Sequence, residues 1–158
     1  MPESELRNYR YRGARALVIL HDRAMRELIP VWRRARAAGL RLPATQDPDY
    51  VSLAALLHHT LRSSRRYMTW LCEKLGLPEP GIDPPPPVDR VEAEVDRYLD
   101  HLLERWRLPL EGVEEQRFFV TFPTNQEDMS GEAMLEHAVL HPLRHRFQLE
   151  ELMESQGG

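Results

Sequence analysis

One cysteine, Cys72, is all the chain contains, so no internal disulfide can form and nothing in its thiol usage calls for an oxidising compartment. Set among Trp70, Leu71 and Leu75, that thiol reads as a small buried hydrophobe and not as a reactive thiolate. No stretch approaches the roughly 18 consecutive apolar residues of a membrane span. The opening Met1-Pro2-Glu3-Ser4-Glu5 lacks the basic start and apolar run of a secretion signal, and a soluble cytoplasmic protein is expected. Positive charge is not in excess: a net charge of -4 over 158 residues argues against a general nucleic-acid binder. The local cluster of Arg33, Arg34, Arg36 and Arg41 is expected to be a solvated helix end. A glycine-rich phosphate loop, an ordered Ser/His/Asp set, clustered cysteines and a fixed-period repeat are missing too, which removes several enzyme classes and every repeat architecture.

What is present has the balance of a globular protein, 42% hydrophobic and 29% charged, at the size of one domain spanning residues 1–158. A chain of this length buries a core without a metal staple, so any metal would serve function. Leu17, Val18, Met25, Leu28 and Trp32 recur at helical spacing within a first helix from about Glu5 to Ala38, ended by Gly39 and Pro43. A second, from about Asp49 to Leu75, carries Leu53, Leu57, Leu61, Met68, Leu71 and Cys72 on a broad apolar face, with Gly76 as its C-cap. Pro78, Pro80 and Pro84 to Pro87 forbid helix and central strand, so residues 77–87 form a stiff surface connection.

A third helix, Val88 to Trp106, shows one narrow stripe of Val88, Val91, Val95, Tyr98, Leu102 and Trp106, and its outward face is acidic. The long segment from Leu108 to Met129, with Phe118, Phe119, Val120 and Phe122, is expected to include a short extended piece near one end of the functional site. Ser130 caps a fourth helix from Gly131 to about Met153. Four amphipathic helices without a hairpin pattern predict an all-α fold, a four-helix bundle.

The fourth helix carries the chemistry. His137, His141 and His145 recur every four residues, and the run continues Arg146, Phe147, Gln148, Leu149. Residues four apart on a helix lie about 6 Å from one another, so His141 and His145 can share one metal ion. Pro142 falls between them and predicts a local defect in the helix. Leu140, Leu143 and Phe147 project from the side opposite the two imidazoles, and such a second apolar side predicts a homodimer. His21, on the first helix's apolar face, reads as a satisfied core histidine or as a further ligand; His101 reads as solvated. Asp128 and Glu132 lack the spacing of paired catalytic carboxylates.

With His141, His145, Arg146, Gln148 and Leu149 matching a His-x-x-x-His-Arg-x-Gln-apolar pattern, the chain resembles the DinB/YfiT-like metalloenzymes, small four-helix proteins, over almost its whole length. The resemblance implies a third ligand on the second helix, upstream of an aromatic residue. His58 and His59 both lie there, and neighbours on a helix diverge by about 100°, so only one can serve. The step from His59 to Tyr67 fits the family's pattern better, and His59 is preferred with His58 as the alternative. Arg144 and Ser64 depart from the family's usual histidine and acid, away from the three proposed ligands.

Three neutral imidazoles leave a coordination position open and suit one divalent ion, zinc or nickel. Such an ion lowers the pKa of a bound water, and the resemblance implies transfer chemistry on a low-molecular-weight thiol. A metal-dependent transferase or hydrolase acting on a small molecule is therefore expected, with Gln148 and Glu136 as candidates for contacts behind the ligands. The competing expectation is a non-catalytic association protein that uses Leu140, Leu143, Phe147 and the proline-rich connection.

Overall fold

The computed structural model describes residues 6–157. Four long helices, α1 (Arg12–Ala37), α2 (Leu53–Lys74), α3 (Val88–Trp106) and α4 (Gly131–Gly157), make an all-α architecture with one two-stranded ribbon. The ribbon pairs β1 (Thr121–Phe122) with β2 (Met129–Ser130), antiparallel, Thr121 opposite Ser130. α4 packs along α1, and α2 lies against both α3 and α4. The apolar stripes meet in one cluster that runs from Leu6 to Leu149, with Trp32, Trp106 and Phe118 among its largest fully buried side chains. No helix among the described residues is long and apolar enough to cross a membrane.

Helix ends follow local chemistry. α1 and α2 both close with a left-handed glycine, Gly39 at φ 65° and Gly76 at φ 66°. In each case the amide two residues past the C-cap reaches back, Leu40 N to Ala35 O at 3.0 Å and Leu77 N to Cys72 O at 2.8 Å, so the last carbonyls are satisfied. Ser52 starts α2 by accepting from the Ala55 amide at 3.0 Å, and Ser130 starts α4 by accepting from the Ala133 amide at 3.1 Å.

Two expected boundaries move. The start of the first helix at Glu5 falls outside the described residues, and residues 6–11 are turn, with α1 beginning at Arg12. The second helix begins at Leu53 and not at Asp49, because Asp47 accepts from the Asp49 amide at 3.0 Å and forces a separate 3-10 turn, Pro48–Tyr50. α1 also runs through Pro30, whose ring removes the amide that would bond the Arg26 carbonyl; Pro30 is exposed, so water can take that carbonyl. α4 likewise continues through the buried Pro142 and ends at Gly157, beyond the expected Met153, where Gln156 holds residue 41: Arg41 N donates to Gln156 Oε1 at 3.1 Å and Gln156 Nε2 donates to Arg41 O at 2.7 Å.

Two members of the basic cluster face the acidic side of α3, Arg33 reaching Asp96 at 2.7 Å and Arg36 reaching Glu92 at 3.2 Å. The proline-rich connection is pinned at Ile82 and Asp83. Arg65 Nε donates to Ile82 O at 2.7 Å and the Tyr98 hydroxyl to Asp83 O at 2.8 Å. His101, expected to be solvated, accepts from the Asp83 amide at 3.0 Å and so helps hold this connection on α3.

Candidate metal centre

His141 and His145 stack along one face of α4, and the face of α2 turned toward them offers His59. Their Nε2 atoms converge: His59 to His141 and His145 to His141 are each 3.1 Å apart. The three residues form a group that could hold one metal ion, with ligand atoms all within 4.8 Å of one another. His58 points elsewhere, its Nδ1 lying 2.8 Å from the Pro86 carbonyl oxygen, which resolves the choice between the adjacent histidines in favour of His59 as the member of this group.

The opposite ring nitrogens explain why three Nε2 atoms meet. His59 Nδ1 lies 3.2 Å from Asp49 Oδ2, an acceptor, and 3.4 Å from Arg62 Nη2, a donor; the nearer, anionic carboxylate favours the ring hydrogen on Nδ1. Asp49 is itself held by Arg62, whose Nη2 reaches its two oxygens at 2.9 and 3.0 Å. His145 Nδ1 lies 3.0 Å from Gln148 Oε1, again an acceptor, which places that hydrogen on Nδ1 as well. Both rings then present bare Nε2 lone pairs to His141. A hydrogen on His141 Nε2 can point well at only one of them, whereas a cation between the rings satisfies all three. The two 3.1 Å spacings agree: bonds of about 2.1 Å put adjacent nitrogens roughly 3.0 Å apart around an octahedral ion and roughly 3.4 Å apart around a tetrahedral one.

Burial keeps the imidazoles neutral. Desolvation pulls His141 down to about 3, aided by the neighbouring His145, His59 and His137. His59 and His145 are also held below the ordinary histidine value, first by desolvation, with Asp49 and Gln148 respectively pulling the other way. Neutral rings are the form in which histidine donates to a metal.

Tyr50 completes the near surroundings. Its hydroxyl lies 3.4 Å from His59 Nε2, and burial followed by the charges of Asp47 and Asp49 raises its pKa, so it remains a phenol and a hydrogen-bond donor. Tyr67 sets its ring edge-on to His141 at 5.9 Å and to His137 at 5.2 Å, leaving His137 as a neighbour of the cluster. A cleft of about 640 Å³ opens beside His145, Gln148 and Tyr50, between α4 and the connection from α1 to α2. Its lining comes from residues 42–56 and α4. Residues 108–129, expected near one end of the site, supply no lining residue to this cleft; Phe118 is buried in the core and Phe122 packs on Trp70 at 5.9 Å.

Of the other candidates, His21 is a core residue outside the cluster. It is fully buried, its Nε2 lies 2.8 Å from Ser64 Oγ, and its ring stacks on Trp106 at 3.6 Å. Glu136 is exposed and its charge acts on Tyr11 and Glu132, while Gln148 does contact a cluster histidine. Cys72 is buried, and desolvation raises its thiol to about 11. Asp49 and Tyr50 escape a reading of the sequence. The Asp47-Pro48 turn and the Ser52 cap announce a corner before α2, but not that this corner folds back over the helix's second turn.

No family model matches the chain, nor does any curated protein or solved structure.

Proposed function

We propose that the protein is a metal-dependent enzyme of the DinB-like kind, a transferase or hydrolase whose nucleophile is a low-molecular-weight thiol or water. His59, His141 and His145 are its metal ligands. The observation that carries this reading is the convergence of three Nε2 atoms, with an acceptor beside the Nδ1 of two of the rings. A zinc or nickel ion held there supplies a Lewis acid with room for a further ligand. Asp49 orients His59 and Gln148 orients His145, so neither ring needs to reorganise. The Tyr50 phenol donates a hydrogen bond to a substrate atom beside the cluster, and the leucines of the cleft keep bulk water from that atom. A homodimer through the exposed Leu140 and Phe147 on α4 belongs to the same proposal.

Metal analysis of protein purified without a histidine tag tests it. About one equivalent of zinc or nickel per chain is expected, reduced below a tenth in His141→Ala at unchanged far-ultraviolet circular dichroism. A wild-type protein that takes up no stoichiometric ion from excess zinc or nickel refutes the proposal.

A further inference from the structure

The cleft beside the three histidines has a chemical character of its own. At about 640 Å³ it falls in the size range of small-molecule sites, and Leu42, Leu56, Leu149 and Leu152 give it an apolar wall. Two carboxylates, Asp47 and Glu151, both exposed, also line it, and no lysine or arginine among the described residues does. Of the guanidinium groups nearby, Arg62 pairs with Asp49 and Arg146 with Glu27 at 2.6 Å and Glu150 at 3.3 Å, while the exposed Arg41, next to Leu42, is held through its backbone. Hydrogen bonds tie the walls together. The paired hydrogen bonds between Arg41 and Gln156 tie the connection to the end of α4, and Trp32 Nε1 donates to Leu53 O at 2.8 Å, tying α1 to the start of α2. His145, Gln148 and Tyr50 line the same space, so a molecule lying in it reaches the imidazole cluster.

We infer that this cleft holds the apolar body of the molecule transformed at the histidine centre, and that it selects neutral or cationic molecules over anionic ones. The first half rests on the metal-enzyme reading; the charge preference rests on the lining alone. In the metal-free cleft an anion would enter an apolar slot with two carboxylates and no cation in its lining, whereas an ammonium group finds a carboxylate partner there.

The test uses the full chain, tag-free, and the neutral fluorophore N-phenyl-1-naphthylamine as reporter. Octylamine, octan-1-ol and octanoate, which share one body length, compete for it near neutral pH. In metal-free protein octylamine is expected to displace the reporter about tenfold more effectively than octanoate, with the alcohol between, since each partly exposed charge contact is worth roughly two- to fivefold. Glu151→Gln should shrink that ratio about threefold. Leu152→Arg should weaken reporter binding at least about tenfold, because it places a desolvated cation against the apolar wall. Octanoate competing as well as octylamine, or a reporter that fails to bind or ignores Leu152→Arg, overturns the inference.

A second arm loads the protein with cobalt(II), where octan-1-ol, whose oxygen keeps a lone pair near neutral pH, is expected to shift the visible cobalt bands. Normal cobalt loading with bands that no competitor moves overturns the link between cleft and centre and leaves the metal reading standing. Failure to load cobalt overturns the metal reading, and with it the cleft's role as a substrate site.

Discussion

Asp49 is the residue on which the candidate centre can be tested most sharply, because it contacts a cluster histidine without belonging to the cluster. Asp49→Ala removes the oxygen 3.2 Å from His59 Nδ1 and both acceptors of Arg62 Nη2. Two consequences follow for zinc binding. The His59 ring loses the partner that keeps its hydrogen on Nδ1, and the Arg62 cation, 3.4 Å from that nitrogen, is left without its counter-charge. Losses of this kind cost about 10- to 100-fold in metal affinity, or roughly 1.4 to 2.8 kcal/mol. Asp49→Asn keeps an oxygen acceptor of the same size but no charge, and about a threefold loss is expected from it. Fold stability should hardly change. The Asp49 and Arg62 side chains are 27% and 37% exposed, so their pairing is screened and contributes about 0.5 kcal/mol. The assay is zinc titration against a chromophoric chelator, with melting temperatures in parallel. An Asp49→Ala protein that binds zinc within twofold of wild type, or Asp49→Asn as damaging as His59→Ala, would refute the reasoning.

Two further outcomes concern the scaffold. Burial draws the pKa of His21 down to about 3, below its ordinary value of 6.5, so the unfolded chain takes up a proton that the native state refuses. Stability from this residue is therefore complete above about pH 6.5 and is lost as pH falls toward 3, by on the order of 1.4 kcal/mol per pH unit. Thermal melts of chelator-treated protein at pH 7, 6, 5 and 4 should show that decline and a shallower one in His21→Gln; identical slopes would contradict it. Ser52→Ala removes the acceptor of the Ala55 amide, and urea unfolding should register a loss of about 1 kcal/mol. No change would mean that water replaces the cap.

The helical architecture could be read from periodicity and punctuation because those signals are local. Val88 to Trp106 is bounded by a proline run that cannot be helical and by the last residue of its apolar stripe, and the helix occupies those residues. Gly39 and Gly76 mark ends where only a left-handed residue lets the chain turn away. Local signals misled where a side chain gains a partner from a distant segment. His101 lies off its helix's apolar stripe, and only the packing of the proline connection gives it the Asp83 amide. Pro30 and Pro142 lie inside α1 and α4, so an interior proline does not by itself end a helix when the flanking turns are packed.

Spacing along α4 determined that His141 and His145 share a face, since a helix repeats every 3.6 residues. Whether anything meets them is a matter of how α2 is rotated and set against α4, and no interval within either helix encodes it. Tertiary packing alone turns His59 inward and sends His58 to the Pro86 carbonyl, 28 residues along the chain. The same packing brings the corner before α2 back over His59, placing Asp49 behind one ring nitrogen and Tyr50 in front of the other. Residue types and their local periods are properties of the chain; a site built from two helices and a turn exists only once the core has fixed their relative positions.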